Sequence, residues 1–139
     1  MNLLKEAMEF NERERKRILV VDDEPIMLRS INIWLGADYD LFLVNSGEAA
    51  IDFLYKQKVD LILLDYKMPT MSGSEVLTNL QSNKNTKRIP VIFLTGKNDR
   101  KTVMSVVQLK PDGYILKSLT PQEIKDSVAN FFETRVVNF

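Results

Sequence analysis

Acidic, hydroxyl and amino side chains stand directly after short apolar runs in this sequence. Asp22 and Asp23 follow the first run, Asp65 follows another, and Thr95 and Lys117 follow two later ones. Carboxylates held close together repel one another, and a hard divalent cation such as Mg²⁺ relieves that repulsion. A carboxylate can also attack phosphorus to give an acyl phosphate, while a hydroxyl and an ammonium group bind the phosphoryl oxygens. These residue types therefore suit magnesium-assisted phosphoryl chemistry.

The composition of the chain limits the chemistry further. It has 139 residues, with 19 Lys and Arg against 19 Asp and Glu, and it contains neither histidine nor cysteine. A Ser-His-Asp triad, a Cys-His dyad and a histidine-containing zinc site are therefore excluded. Because the charges balance, we expect no bulk attraction to nucleic acid or to an acidic membrane. The length suits one compact domain.

The sequence has no pattern typical of export or membrane insertion. Its start contains acids, whereas a signal peptide has a basic start and then an apolar run. No apolar stretch approaches the roughly 20 residues that a membrane helix needs. We expect a cytoplasmic protein without a membrane partner.

Five short apolar runs are predicted to be strands. They are rich in Val, Ile, Leu or Phe and too short to be buried helices: Ile18–Val21, Leu41–Val44, Leu61–Leu64, Val91–Leu94 and Tyr114–Leu116. Runs that are apolar on both faces are typical of a parallel sheet covered by helices.

A helical pattern follows each of these runs. One helix is predicted to begin at Pro25 and end near Gly36, and Ser46 is the predicted N-cap of the next. Apolar residues within 76–80 and 103–107 mark two more helices, and a capping box at residues 120–123 opens the last. This alternation predicts an α/β fold with a doubly wound parallel sheet, in which ligands bind at the carboxyl ends of the strands.

The two ends of the chain lie outside the repeating pattern. We divide the chain into an N-terminal extension, residues 1–16, a main domain, residues 17–135, and a C-terminal tail, residues 136–139. The extension has helical spacing up to Ala7 and Met8 and is interpreted as a helix, a dimer arm or a disordered leader. Apolar residues near the other end either pack on the domain or form an exposed stripe for a partner: Phe132, Val136, Val137 and Phe139.

Four segments of the sequence resemble the receiver domain of two-component response regulators, including chemotaxis regulators. They are Ile18-Leu-Val-Val-Asp-Asp-Glu-Pro25, Leu61-Ile-Leu-Leu-Asp-Tyr-Lys-Met-Pro-Thr-Met-Ser-Gly73, Val91-Ile-Phe-Leu-Thr-Gly96 and Asp112-Gly-Tyr-Ile-Leu-Lys117. Each motif alone is weak, but all four in this order are highly specific. The resemblance implies a flavodoxin-like (βα)5 fold with five parallel strands in the order 2-1-3-4-5.

The resemblance also implies a phospho-acceptor and its metal site. Asp65 would accept a phosphoryl group from a phosphohistidine on a sensor histidine kinase or a histidine phosphotransfer protein. Asp22 and Asp23 would bind Mg²⁺ together with Asp65 and the backbone carbonyl of Lys67. The chain would assist its own phosphorylation and dephosphorylation, but it would not be an enzyme in the usual sense.

Three further residues match the residues of the family that sense the phosphoryl group. Thr95 and Lys117 would bind phosphoryl oxygens, and Tyr114 would switch between exposed and buried rotamers together with Thr95. The surface of the fourth helix, fifth strand and fifth helix would then pass the signal to a downstream protein. Direct binding to nucleic acid is not expected, and a homodimer is left open. The sequence is read either as a stand-alone regulator or as a fragment of a longer protein.

One residue departs from the family pattern. Ser118 follows Lys117, where the family usually has a proline in a cis peptide bond, and Pro121 comes too late to replace it. A cis bond before serine costs far more than one before proline. We therefore expect a trans bond and a loop of different shape at Lys117.

Three other functions were weighed against the receiver domain. An aspartyl phosphatase resembling the haloacid dehalogenase group needs a second aspartate at the position of Lys67. A flavodoxin needs a phosphate-binding loop where Asp22 and Asp23 stand. The main alternative is a pseudo-receiver, which docks partner proteins without being phosphorylated.

Overall fold

The computed structural model describes residues 2–6, 15–96 and 100–137 of the chain. Residues 3–6 are helical, but Ala7 and Met8, on which the predicted N-terminal helix also depends, lie outside the described residues, as does Phe139. No helix within the described residues is both long and apolar enough to cross a membrane.

Five parallel strands form one sheet. They are β1 (Arg17–Val21), β2 (Asp40–Val44), β3 (Leu61–Asp65), β4 (Val91–Thr95) and β5 (Gly113–Leu116), in the spatial order β2-β1-β3-β4-β5. The fold class and strand order expected from the sequence are both confirmed. Each strand of the structure contains its predicted apolar run and extends beyond it by no more than a residue at either end.

Helices follow each strand and run back along the sheet. They are α1 (Pro25–Leu35), α2 (Gly47–Lys56), α3 (Gly73–Gln81), α4 (Arg100–Gln108) and α5 (Pro121–Val137). The Ser46 side chain accepts the backbone N–H of Ala49 at 3.1 Å, which confirms the predicted N-cap. The capping box is confirmed too, because Thr120 and Glu123 each accept the other's backbone N–H at 3.1 Å.

The core has two layers because successive residues of a strand point to opposite faces of the sheet. Ile18 and Val20 of β1 pack with α1 and α5, whereas Leu19 and Val21 pack with α2, α3 and α4. The central strands β1, β3 and β4 are almost fully buried, as the sequence predicts. The edge strands β2 and β5 are more exposed, because each has a neighbouring strand on one side alone.

Residues near the two predicted domain boundaries contact the sheet and its helices. Arg15 donates hydrogen bonds to the carbonyl oxygens of Gly36 and Tyr39, at 2.9 and 2.8 Å, in the turn that follows α1. Phe132 of α5 packs on Tyr39 with 5.6 Å between ring centroids. Phe132 is therefore part of the packed domain, while the boundaries at residues 16 and 135 stay predictions.

Candidate functional site

The strand order brings the predicted site residues to one edge of the sheet. Asp22 follows β1, Asp65 ends β3, Thr95 ends β4 and Lys117 follows β5. The strands are in matched register, with Asp65 beside Leu94 and Thr95 beside Leu116. Because parallel strands end at the same edge, side chains that are far apart in sequence meet there.

Three carboxylates form a compact cluster at this edge. Carboxylate oxygens of Asp22, Asp23 and Asp65 lie within 4.8 Å of one another. Asp22 and Asp65 are buried, and Asp23 is partly exposed. Asp22 Oδ1 accepts the backbone N–H of Glu24 at 2.9 Å, which holds the turn between β1 and α1 in place.

The Lys117 ammonium group lies among these carboxylates. Its Nζ is 2.8 Å from Asp22 Oδ2, 3.2 Å from Asp65 Oδ1 and 3.1 Å from Glu24 Oε1. Burial alone lowers the pKa of Lys117, but the hydrogen bond to Asp22 and the charges of Asp65 and Asp22 outweigh burial and raise the pKa above its usual value. Lys117 is therefore a permanent cation within the site.

The serine after Lys117 does not displace the lysine side chain. No peptide bond between described residues is cis, so the trans bond expected at Lys117–Ser118 is confirmed. The Lys117 backbone N–H donates to the Thr95 carbonyl oxygen at 2.8 Å, which extends the contact between β4 and β5 by one residue. This bond anchors the start of the loop and leaves the long side chain directed towards Asp65.

The pKa of the Asp65 carboxyl group is raised well above its usual value. Burial is the largest cause, and the negative charge of Asp22 and a hydrogen bond with Asp23 also raise the pKa of Asp65. The charge of Lys117 and its hydrogen bond to Asp65 lower the pKa, but the balance leaves it at about 7. Asp65 is 3% exposed, and its Oδ2 has no hydrogen-bond partner among the described residues.

This cluster fits a divalent cation. The single positive charge of Lys117 does not neutralise the carboxyl groups of Asp22, Asp23 and Asp65. The buried Asp65 Oδ2 also has no hydrogen-bond partner among the described residues. Hard oxygen ligands of this kind suit Mg²⁺, which usually takes one or two carboxylates and several waters. Lys67 lies in the loop directly after β3, and its carbonyl as a fourth protein ligand stays a prediction.

A cavity of about 250 Å³ opens beside the acidic cluster. Its walls bring together the proposed acceptor, hydroxyl and ammonium, namely Asp65, Thr95 and Lys117, and Gly96 lines the wall next to Thr95. Thr95 is buried at 3% exposure. The cavity provides a place for a small anionic group that contacts all three side chains.

The loop after Asp65 depends on close backbone packing at Gly73. The Gly73 N–H donates to the Tyr66 carbonyl oxygen at 3.0 Å, at the point where α3 begins. A Cβ atom added to Gly73 would clash with the carbonyl oxygen of Asp65 and the Cα of Tyr66. Glycine is therefore required here by space, because the obstructing atoms belong to the backbone that carries Asp65.

Tyr114 lies outside the cluster around Asp65. It is on the edge strand β5, beside Phe93 in register, and the residue is 47% exposed. Met104 and Val107 of the neighbouring helix α4 are also exposed. The structure thus places Tyr114 in an exposed position, and its role as a switch stays a prediction.

Glu24 is the residue of the site to which the sequence assigned no role. It stands at the N-cap position of α1, but its side chain makes no capping hydrogen bond and contacts Lys117 instead. The run of three acids at residues 22–24 was the visible signal. The contact could not be read from that run, because it depends on a lysine 93 residues later in the chain.

Comparison with known proteins gives the class of the chain. A family model described as "Response regulator receiver domain" matches residues 18–129. The chain therefore belongs to the response regulator receiver domain family, as the four sequence motifs predict.

Individual relatives agree with this assignment. The chemotaxis protein CheY of Pseudomonas aeruginosa is 30% identical over 122 residues, which cover 84% of this chain and 96% of that protein. A probable cyclic di-GMP phosphodiesterase of Vibrio cholerae is 32% identical over 128 residues, or 92% of this chain and 29% of that protein. The chain also spans 13% of a sensor histidine kinase and 55% of a probable transcriptional regulator that it matches.

A solved structure has the same fold. The signal receiver domain of a signal transduction histidine kinase from Syntrophus aciditrophicus superimposes with a TM-score of 0.78 at 28% identity, and the match covers 86% of this chain and 91% of that one. Receiver domains of this family thus occur both as nearly the whole of a protein and as one part of much longer proteins.

Proposed function

We propose that this chain is a phospho-accepting receiver domain in which Asp65 takes a phosphoryl group from a phosphohistidine on a partner protein. The observation that carries the proposal is the position of Asp65, which is buried at the wall of a cavity with the Lys117 ammonium 3.2 Å from its Oδ1. The partner is a sensor histidine kinase or a histidine phosphotransfer protein. We place the reaction in the cytoplasm.

The chemical step needs one nucleophile from this chain. A carboxylate oxygen of Asp65 attacks phosphorus and forms a P–O bond while the P–N bond to the donor histidine breaks. The electron pair of the broken bond returns to the imidazole of the partner, which takes up a proton from solvent. Because this sequence contains no histidine, the phosphohistidine must lie outside these 139 residues.

The remaining residues of the site stabilise charge and position the group. Lys117 is already next to Asp65 and donates to a phosphoryl oxygen, and the Thr95 hydroxyl donates to another. Asp22, Asp23, Asp65 and the Lys67 carbonyl would hold Mg²⁺. When bound, the cation neutralises negative charge on the carboxylates and on the transferred group. The chain assists its own phosphorylation and hydrolysis but is not otherwise an enzyme.

Phosphorylation then changes a protein-interaction surface. The new charge at Asp65 draws the Thr95 hydroxyl inward, which opens space for Tyr114 to turn from its exposed position on β5. The surface of α4, β5 and α5 transmits this change to a downstream protein.

Incubation with Mg²⁺ and a small acyl phosphate, followed by intact mass, tests the proposal. We expect one added phosphoryl group, which is absent in Asp65→Asn. Asp52→Asn is the matched control, because Asp52 is exposed on α2 and takes no part in the site. No adduct with any acyl phosphate or histidine kinase would instead favour a pseudo-receiver that docks partners without phosphorylation.

A further inference from the structure

A lysine-lined groove lies at the edge of the sheet opposite Asp65. Each helix runs antiparallel to the strand it follows, so the C-terminal ends of α2 and α3 meet at the amino ends of the strands. Between them is a groove of about 400 Å³, here called the lysine groove, defined by Leu54, Tyr55, Lys56, Lys58, Leu80 and Lys84.

The charge of the lysine groove is entirely positive. Lys56, Lys58 and Lys84 are exposed, and no acidic residue lines the groove in the part of the chain that the structure describes. Asp60, two residues after Lys58, does not line the groove, and its Oδ2 accepts the Arg17 backbone N–H at 2.7 Å. The acidic cluster of Asp22, Asp23 and Asp65 lies at the opposite edge of the sheet.

Most of the lining of the lysine groove is polar, and Leu54, Tyr55 and Leu80 add a smaller apolar part. Leu80 is buried and Leu54 is half-buried, whereas Tyr55 is 75% exposed. The amide oxygens of Gln57 and Asn83 accept hydrogen bonds within the protein, from Arg17 and from the Asn85 backbone N–H. Their amide nitrogens are the groups left to donate to a ligand.

We propose that the lysine groove docks an acidic, partly apolar peptide segment of a partner protein. The carboxylates of the segment would pair with Lys56, Lys58 and Lys84, and its apolar side chains would pack on Leu54 and Tyr55. A concave groove that presents Leu54 and Tyr55 beside its lysines suits a peptide with apolar side chains better than a flat bilayer surface or a nucleic-acid backbone. The acidic cluster of a second copy offers these lysines little, because Asp22 and Asp65 are buried.

The test uses a fluorescent synthetic peptide with Glu and Leu at helical spacing. Binding to the full chain is measured by anisotropy, and the site is mapped by amide chemical shifts. We expect shifts within residues 51–58 and 79–86. The triple variant Lys56→Glu/Lys58→Glu/Lys84→Glu should bind at least about tenfold more weakly, since three ion pairs become repulsive contacts.

A control triple variant, Lys5→Glu/Lys101→Glu/Lys125→Glu, carries the same change in net charge outside the groove. Equal losses in both triple variants would overturn the proposal, as would shifts confined to other surfaces. Tighter binding to anionic vesicles or duplex DNA than to the peptide, or a dimer formed through these lysines in sedimentation, would also overturn it. Peptides with Gln for Glu or Ser for Leu should each lose affinity. We expect an acyl phosphate still to phosphorylate Asp65 in the triple groove variant, which would show that this variant is folded.

Discussion

Lys117 and Asp22 form an ion pair of 2.8 Å, although two other strands separate β5 from β1 in the sheet. The same Nζ atom that pairs with Asp22 also lies 3.2 Å from Asp65 Oδ1, at the end of β3. The Lys117 ammonium group therefore links the ends of β1 and β5, which are not neighbours in the sheet, and it lies where the carboxylates of Asp22 and Asp65 repel each other.

Removal of this cation should destabilise the metal-free protein. In Lys117→Gln the buried Asp22 and Asp65 lose their opposite charge, and breaking a buried pair in this way costs about 3–5 kcal/mol of unfolding free energy. Urea unfolding in EDTA measures the loss. Lys125→Gln, on the partly exposed face of α5, should change stability by no more than about 0.5 kcal/mol. Equal losses in the two variants would show that the ion pairs of Lys117 do not stabilise the fold.

The raised pKa of Asp65 should make the metal-free protein less stable as pH rises. The pKa is 3.8 in an unfolded chain and about 7 in the fold, so between these values the folded state binds the extra proton. The free energy of unfolding therefore falls from about pH 4 to about pH 7 and levels off above, and a shift of this size sets an upper limit of about 4 kcal/mol. Urea unfolding in EDTA across this range measures it.

Asp65→Asn serves as the control for this pH dependence. Asparagine cannot ionise, so the variant should lose this contribution and be more stable than the parent at neutral pH. Asp52→Asn should retain the slope of the parent. If Asp65→Asn kept the full slope, other groups would be responsible for it.

Mg²⁺ should stabilise the chain through the same carboxylates. A ligand that binds only the folded state raises the free energy of unfolding by about 1.4 kcal/mol when its concentration is ten times its dissociation constant. Thermal unfolding at increasing Mg²⁺ measures this gain, which should shrink strongly in Asp23→Asn because one of the three clustered carboxylates is lost. An unchanged gain in that variant would exclude Asp23 as a ligand.

Gly73→Ala should destabilise the fold and impair phosphorylation. The added Cβ meets the Asp65 carbonyl oxygen, and neither backbone can move without shifting the acceptor. Overpacking of this kind costs about 1–3 kcal/mol. Gly96→Ala is the matched control, because a Cβ there meets nothing within 4 Å. Comparable urea midpoints for the two variants would contradict the steric argument.

Thr70→Asn should stabilise the loop after Asp65. Thr70 has φ of 68°, a left-handed conformation that is unfavourable for a β-branched residue and tolerated by asparagine. Because Thr70 is exposed, little packing is lost, and we expect a gain of about 0.5–1 kcal/mol in urea unfolding. Thr78→Asn, an exposed position within α3, should give no gain. A lower free energy of unfolding in Thr70→Asn would mean that the contacts of the threonine side chain stabilise the fold by more than its backbone strain destabilises it.

Local patterns account for the parts of the fold that were predicted well. The apolar runs of β1, β3 and β4 and the caps at Ser46 and Thr120 depend on neighbours in sequence, and all are found as expected. The greater exposure of β5 follows from its place at the edge of the sheet, which the expected strand order already implies, whereas the exposure of Tyr114 also depends on tertiary packing.

Spacing along strands and helices is a local property, so the amino-acid sequence alone indicates the class of this protein and the identity of its acidic, hydroxyl and ammonium residues. Which oxygen each of these groups contacts depends on the tertiary fold. The three carboxylate contacts of Lys117, including Glu24, and the raised pKa of Asp65 arise from distance and burial across strands that are remote in sequence. Electrostatic energy depends on those distances and on exclusion of water, and the chain acquires both only when the sheet forms.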